Sequence, residues 1–249
     1  MFIKTNPYDN DSLIKESRGL ELLDKYITTA KNCHLNIPHI YSVTKQELTL
    51  EKIIHNYSNK TQMEVFGYSL AKLHQLKFNS YGLDYDNFIG LSEQKNIISN
   101  NWGDFFFEYR LLFQVEKIEN KIIREDFLTI LYKQKEKIIN FLNTNTDYAS
   151  IVHGDLWSGN VLFSNKIYLI DPAVYFADRE VDIAMTQLFG GFSSEFYKIY
   201  SDTLPLSKEY NNKKIIYNTY HYLNHYNLFG LSYLNDCKNG FSFIDKLFT

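Results

Sequence analysis

The stretch from Ile151 to Asp171 restricts the possible folds more than any other part of the sequence. Its residues form, in order, the patterns of an apolar strand, a polar loop, a second strand, a tight turn and a third strand. The loop runs from His153 to Asn160, and its two glycines allow the backbone to turn sharply. The third strand, Ile167–Ile170, ends directly in Asp171. The pattern therefore predicts that Asp155 and Asn160 of the loop lie close to Asp171 after the third strand.

This loop matches the pattern His-x-Asp-Leu-x-x-x-Asn, which is typical of kinase catalytic loops. Phosphoryl transfer requires a carboxylate beside the attacking hydroxyl, and we expect Asp155 to be this catalytic base. Asn160 and Asp171 would offer oxygen ligands to a Mg²⁺ ion on the nucleotide phosphates. His153 is predicted to hold the loop by hydrogen bonds. The alternative, a polar loop capped by its own side chains, is disfavoured by the flanking strands.

The first residues supply a candidate phosphate-binding pair. Lys4 lies in a short strand pattern, residues 1–5, and Glu16 lies in the helix pattern of residues 11–29. A Lys–Glu ion pair that holds the lysine near the nucleotide phosphates recurs in kinases. On its own the pair would indicate only a surface lysine, but together with the loop it predicts that Lys4 and Glu16 help to bind ATP.

The pattern changes near residues 54–60 from short strands to long helices. The first part contains the strand and helix already described and two further strands, near 38–42 and 47–53. The second part is mostly helical, and the polar stretch 78–101 has no clear pattern. Helices are predicted at about residues 60–77, 102–121, 123–142, 179–189, 193–202 and 208–236.

Composition argues against several classes of protein. A net charge of -3 and a pI near 6.2 leave no basic surface of the kind that binds nucleic acid. No apolar run approaches the roughly 18 residues that a membrane span requires. Cys33 and Cys237 are too far apart to form a motif, which indicates a reduced chain without a disulfide framework. We expect a cytoplasmic protein without nucleic-acid or membrane partners, and its oligomeric state stays open.

The loop and its surroundings resemble the fructosamine kinase (ketosamine-3-kinase) family. The run His153–Leu162 is similar to the catalytic loop of that family. Two motifs, Trp157–Asn160 and Phe189–Phe192, distinguish it from the aminoglycoside and choline kinases that share the fold. The resemblance extends from Met1 to about Leu234. Other matching stretches are Ile170–Tyr175, Asp178–Glu180, Asp182–Thr186, Phe88–Gly90, Trp102, Phe105, Phe106, Arg110–Leu112 and Leu223–Gly230.

The resemblance implies an α+β, bilobal, protein-kinase-like fold of the aminoglycoside phosphotransferase superfamily. Its N-terminal lobe, residues 1–56, would be truncated and would end in a hinge near 48–53. Residues 57–249 would form the helical C-terminal lobe. The implied reaction is transfer of the γ-phosphate of ATP, with Mg²⁺, to the 3-hydroxyl of a ketosamine. The acceptor would be a fructosamine or ribulosamine adduct of a small amine or a protein, as in deglycation or ketosamine catabolism.

The resemblance also assigns residues outside the loop. Glu51 and Ile53 would meet adenine through their backbone groups. Asp182 would support the catalytic loop, although a carboxylate that favours a helix N-terminus is an equal alternative.

Three further residues are candidates for lining the sugar–amine pocket. They are Trp157, Tyr175 and His225, and ordinary core packing is the alternative for each of them.

One element of the family pattern has no counterpart in this sequence. In the family a hairpin with a glycine-rich turn precedes the phosphate-binding lysine, whereas three residues precede Lys4. Each N–H bond from such a turn to phosphate contributes about 1.5–3 kcal/mol, so losing two or three would weaken ATP use by roughly 100-fold or more. We expect one of two explanations. Either the start codon is misassigned or the gene is truncated, which the intact loop favours, or the hairpin is really lost and the protein is a degenerate, weakly active kinase.

Three functional hypotheses follow. The first is an active ketosamine kinase. The second is a catalytically impaired pseudokinase or nucleotide-binding protein, and the third is a kinase for another small amine-bearing acceptor.

Overall fold

The computed structural model describes all residues from Met1 to Thr249. The strands are β1 (Phe2–Thr5), β2 (Leu35–Asn36), β3 (Ile40–Val43), β4 (Glu47–Leu50), β5 (Tyr81–Gly82), β6 (Asn87–Ile89), β7 (Ser92–Gln94), β8 (Ile98–Ser99), β9 (Ser150–Val152), β10 (Val161–Phe163), β11 (Ile167–Leu169) and β12 (Tyr175–Ala177). The α-helices are α1 (Ser12–Thr29), α2 (Lys60–His74), α3 (Trp102–Phe106), α4 (Phe113–Glu116), α5 (Lys121–Thr144), α6 (Glu180–Thr186), α7 (Ser194–Thr203), α8 (Tyr210–Phe229) and α9 (Leu234–Leu247). A π-helix spans Phe107–Leu112, and 3₁₀ turns span Ser158–Asn160 and Gly230–Tyr233.

The first sheet is small and has one helix against it. Its strands are antiparallel in the order β1-β4-β3, and Lys4 pairs with Leu48. Because side chains alternate along a strand, Leu48 and Leu50 point to the same face. On that face they pack with Leu13 and Leu20 of α1 in a separate apolar cluster. This arrangement places the β1 lysine and the α1 carboxylate on one side of the sheet.

The remaining chain surrounds a much larger core. This core contains 47 buried residues and is built mainly from α2, α3, α5, α8 and the strands β9–β12. The strand β2 pairs in parallel with β11, so part of the N-terminal section joins the sheet formed by β10 and β11. A division of the chain after residue 56 therefore stays a prediction. None of the helices combines the length and apolar composition that a membrane span requires.

Helix α2 shows how a local signal sets an element boundary. The Asn59 side chain accepts a hydrogen bond from the Gln62 N–H at 2.9 Å, and the Gln62 side chain accepts one from the Asn59 N–H at 3.1 Å. This reciprocal capping box satisfies two N–H groups that the helix itself leaves unpaired. The helix therefore begins at Lys60, which agrees with the predicted start.

Several predicted elements differ from the structure. The helix expected over 208–236 ends at Phe229, because Gly230 has a φ of +79° that a helix does not allow. A separate helix, α9, then continues to Leu247. The helix expected over 102–121 contains the π-helix and ends at Glu116. The stretch 78–101 forms the short strands β5–β8.

Candidate active site

A cleft of about 330 Å³ lies between three distant parts of the chain. The first is β1 with the start of α1, the second is the β6–β7 hairpin, and the third is the loop after β9 with the residues after β11. Six of the side chains proposed from the sequence meet there: Lys4, Glu16, Asp155, Trp157, Asn160 and Asp171.

The loop is held from below by a buried carboxylate. Asp182, near the start of α6, accepts hydrogen bonds from the backbone N–H groups of His153 at 2.7 Å and Gly154 at 2.9 Å. Burial opposes the charge of Asp182, yet the hydrogen bond from His74 helps to hold its pKa below the usual range. Asp182 therefore fits both interpretations given above. It lies in the first turn of α6, where the helix N-terminus favours a carboxylate, and its side chain also supports the catalytic loop.

His153 connects the loop to the segment that ends in Asp171. Its Nε2 lies 2.9 Å from the Ile170 carbonyl and must donate to it, because a carbonyl only accepts. The Nδ1 atom then accepts from the Asp155 N–H at 3.3 Å. Burial lowers the pKa of His153, which favours this neutral form. The ring thus links the backbone beside Asp155 to the backbone beside Asp171.

Glycine is required at two points of the loop. Gly154 has a φ of +82°, and a Cβ there would lie 2.1 Å from the Ala173 carbonyl oxygen. A Cβ on Gly159 would lie 2.2 Å from the ring of Trp157, which folds over this residue. Gly191, with a φ of +93°, meets the Ser158 side chain in the same way. The two stretches around Trp157 and Gly191 are therefore in direct contact.

Asp155 faces the cleft and is half-buried. Burial raises the pKa of its carboxyl to about 7. The Asn160 Nδ2 donates to the Asp155 carbonyl oxygen at 2.8 Å and lies 3.3 Å from its Oδ2. A carboxylate of this kind can accept a proton near neutral pH.

The oxygen atoms beside Asp155 fit a magnesium ion. Because the Asn160 Nδ2 is used within the loop, its Oδ1 stays free to act as a ligand. Asp171 adds a partly exposed carboxylate and has a φ of +52°, which is uncommon for a residue with a side chain. Mg²⁺ takes few protein oxygens and completes its shell with phosphate and water. The two residues offer such a set.

Lys4 lies between the carboxylate of Glu16 in α1 and that of Asp171 after β11. Its Nζ lies 2.6 Å from the Glu16 Oε2 and 3.0 Å from the Asp171 Oδ1. Burial opposes the ammonium charge, but Glu16 and Asp171 outweigh it and raise the pKa of Lys4. The lysine therefore stays charged and is directed towards the cleft.

Glu51 and Ile53 are not among the residues that line the cleft, and both lie within three residues of the end of β4. The Glu51 N–H is bonded to the His39 carbonyl at 2.8 Å, whereas the Ile53 N–H makes no hydrogen bond within the protein. The free Ile53 N–H is able to pair with an adenine ring. The assignment of Glu51 and Ile53 to the nucleotide stays a prediction.

The three candidates for the acceptor pocket differ in position. Trp157 is 38% exposed and lines the cleft. Its ring lies 6.2 Å from that of Phe189, which in turn lies 5.2 Å from His225. His225 therefore contacts Phe189, which in turn contacts Trp157 of the cleft. Tyr175 does not line the pocket, since it is 2% exposed and packs beneath the loop under Arg110.

Sequence reasoning missed two contributors to the site. His74, at the end of α2, is fully buried between Asp182 and the Tyr200 hydroxyl, which lies 2.9 Å from its Nδ1. The β6–β7 hairpin forms one wall of the cleft through Phe88, Gly90 and Leu91. The Phe88–Gly90 stretch resembles the family, but strands of three residues give no periodicity that would place it in the fold.

The family model of fructosamine kinase matches residues 1–248. The chain belongs to the fructosamine kinase family. It is accordingly a phosphotransferase with an alcohol group as acceptor, and its kinase fold implies the use of ATP.

Relatives of this family member include enzymes from bacteria and plants. A probable ketoamine kinase of Vibrio parahaemolyticus is 37% identical over 88% of this chain and 80% of its own length. A chloroplastic protein-ribulosamine 3-kinase of Arabidopsis thaliana is 31% identical over 93% of this chain and 72% of its own length. These relatives do not favour the pseudokinase hypothesis or a different amine acceptor.

Solved structures support the same fold. A protein of Haemophilus somnus 129PT, provisionally named a fructosamine-3-kinase, is 28% identical and has a TM-score of 0.82 over 97% of this chain and 82% of its own. Kinases of aminoglycosides, ethanolamine and choline share the fold alone, with identities of 13 to 17% and TM-scores of 0.57 to 0.63. The predicted α+β, bilobal, kinase-like fold is confirmed.

Proposed function

We propose that this protein transfers the γ-phosphate of ATP to the 3-hydroxyl of a ketosamine. The observation that carries the proposal is the meeting of Asp155, Asn160, Asp171 and the Lys4–Glu16 pair in one cleft. The choice of acceptor rests on the relatives, which are named as kinases of ketoamines and of protein-bound ribulosamine.

In this proposal Asp155 is the catalytic base. It accepts a hydrogen bond from the sugar hydroxyl and takes its proton as the oxygen attacks the γ-phosphorus. The new bond joins the sugar oxygen to phosphorus, and the bond from phosphorus to the β,γ-bridging oxygen breaks, so ADP leaves. The proton on Asp155 then passes to solvent.

Asn160 and Asp171 would hold Mg²⁺, which supplies charge neutralisation on the phosphates when it is bound. Lys4, kept in place by Glu16 at 2.6 Å, would contact the α- and β-phosphates. Backbone groups of Glu51 and Ile53 would meet adenine.

Trp157 is the residue that we assign to the acceptor. Its exposed ring lies at the edge of the cleft beside Asp155, and an aromatic face can stack on the apolar face of a sugar. Phe189 and His225 extend the same surface away from the base. The amine substituent of the adduct would leave the cleft in that direction.

A phosphate at carbon 3 makes the adduct unstable, and the amine is released. We therefore propose a role in deglycation or in ketosamine catabolism. Both cysteines, Cys33 and Cys237, are unpaired, which is compatible with the cytoplasm as the proposed location.

The proposal is tested by incubating the protein with Mg·ATP and either ribuloselysine or fructoselysine. We expect ADP formation together with a sugar 3-phosphate signal in ³¹P NMR. The borohydride-reduced adduct, which lacks the ketone, is the matched control that tests whether the reaction requires the ketose. ADP formation with choline or an aminoglycoside alone would support the other-acceptor hypothesis. Binding of Mg·ATP without turnover of any acceptor would support a pseudokinase.

A further inference from the structure

The β6–β7 hairpin is fastened to the chain directly after Asp171. We propose that Asn87 and Gln94 of this hairpin are positioning residues, which hold the segment Ala173–Val174 and thereby aim the Asp171 carboxylate at the nucleotide-bound metal. The inference rests on the proposed use of Mg·ATP at Asp171.

Two side-chain amides make the contact. The Asn87 Nδ2 donates to the Val174 carbonyl at 2.8 Å, and the Gln94 Nε2 donates to the Ala173 carbonyl at 3.0 Å. The two amides also bind each other, since the Gln94 Nε2 lies 2.9 Å from the Asn87 Oδ1. The residues face each other across the hairpin. Both are almost fully buried, at 3% and 1% exposure, so water does not compete for these bonds.

The hairpin is itself fixed by a chain of buried polar groups. The Asn96 Nδ2 donates to the Asn87 Oδ1 at 2.9 Å, and the Arg110 Nη2 donates to the Asn96 Oδ1 at 2.8 Å. On the other side, the Tyr220 hydroxyl donates to the Gln94 Oε1 at 2.7 Å. Each amide is thus oriented by a partner, which fixes its donor group towards the carbonyls of residues 173 and 174.

Arg110 is the unusual member of this network. Its guanidinium is fully buried without a carboxylate partner and is stabilised by the Lys95 carbonyl at 2.8 Å and by the ring of Tyr175 at 4.1 Å. Burying a charge of this kind lowers stability, because water no longer solvates it. Arg110 projects from the π-helix Phe107–Leu112, and such helices frequently occur at functional sites.

The opposite side of the segment is held by the catalytic loop. The Ala173 N–H donates to the His153 carbonyl at 2.9 Å. Residue 173 is therefore clamped at its N–H by the loop and at its carbonyl by the hairpin. Asp171 is two residues away and has a strained φ of +52°, which persists only when its surroundings impose it. Loss of the hairpin contact would let Asp171 leave this strained conformation, and its carboxylate would then no longer point at the metal site.

The test compares nucleotide affinity with and without metal, and it requires no acceptor. Binding of a non-hydrolysable ATP analogue is measured by calorimetry in EDTA and in saturating Mg²⁺. The Gln94→Leu and Asn87→Ala variants each remove one donor to the segment. Phe127→Leu, at the stacked contact with Phe241 between α5 and α9, is the control for general destabilisation.

We expect both hairpin variants to lower the Mg²⁺-dependent gain in affinity by about tenfold, the lower end of the range for residues that orient metal ligands. Their affinity in EDTA should match the wild type, and Phe127→Leu should keep the full gain. If Gln94→Leu does not fold, Asn87→Ala decides. An unchanged gain in the folded hairpin variants, or an equal loss in the control, would overturn the inference. A wild-type protein without any gain from Mg²⁺ would instead overturn the proposed metal site itself.

Discussion

Asp155 is held where burial opposes its charge. Burial raises the pKa of its carboxyl to about 7, far above the value of about 3.9 in an unfolded chain. A base with a pKa near the working pH suits proton transfer. The same shift makes the folded state less stable as the pH rises, because the unfolded chain loses its proton first. The stability present below the unfolded pKa is lost progressively up to about pH 7.

Asp155→Asn should therefore stabilise the protein in a pH-dependent way. The variant carries no charge at this position, so its melting temperature should exceed that of the wild type at pH 8 and approach it at pH 4. Thermal unfolding at the two pH values measures this. Asp126→Asn, on the exposed face of α5, is the control. A shift of equal size at both pH values would contradict the role of burial.

Glu16 acts through Lys4. Glu16→Gln removes an ion pair of 2.6 Å. Lys4 is then held only by Asp171, which lies 3.0 Å away, and is no longer kept in position for the phosphates. Hydrogen bonds to charged groups contribute about 1.5–3 kcal/mol, which corresponds to a fall of roughly 10- to 100-fold in kcat/KM for ATP.

Steady-state kinetics with varied ATP measure the effect of Glu16→Gln, and the KM for the acceptor should stay unchanged. Glu21→Gln, an exposed substitution on the same helix, should have no effect. A Glu16→Gln enzyme with wild-type kcat/KM for ATP would show that the pair does not orient Lys4.

At the scale of elements, close helix contacts depend on glycine. Helices α2 and α7 pack so closely that a Cβ on Gly67 would lie 2.4 Å from the Phe196 carbonyl oxygen. The Phe196 backbone cannot move aside as a flexible side chain can. The helix that ends in His74 is thereby held against the helix that carries Tyr200.

Gly67→Ala should lower the free energy of unfolding by about 1–3 kcal/mol, the usual effect of overpacking. Urea denaturation measures this change. Thr61→Ala, on the exposed first turn of the same helix, should change it by about 0.5 kcal/mol or less. A Gly67→Ala protein as stable as the wild type would mean that α2 and α7 can move apart without a loss of stability.

Prediction of elements succeeded where local signals are strong. Helix α1 was predicted from its apolar spacing, and the predicted start of α2 coincides with a capping box in the structure. The π-helix at 107–112 was not predicted, because the run Phe105–Phe113 is apolar at seven of its nine positions and conceals any shift in the helical pattern. The end of α8 was missed although Gly230 marks it, since glycine also occurs inside helices such as α2.

At the scale of the whole molecule, the cleft combines segments that are far apart in sequence. The loop 153–160, Asp171 and the Lys4–Glu16 pair could be proposed because each follows a chemical pattern. The hairpin 87–94 could not be placed, since its contacts with Ala173 and Val174 arise only from the tertiary structure. For Tyr175 the alternative of core packing fits the structure, and its neighbours in sequence do not reveal that Arg110 covers its ring.

The central claim is that Asp155 is the base for phosphorylation of a ketosamine. The most direct test is kcat/KM for ribuloselysine in the wild type and in Asp155→Asn, with the affinity for Mg·ATP measured in parallel. We expect the variant to lose about 10²- to 10⁴-fold in kcat/KM, as for general base catalysis, with unchanged nucleotide affinity. A variant within about twofold of the wild type would contradict the claim.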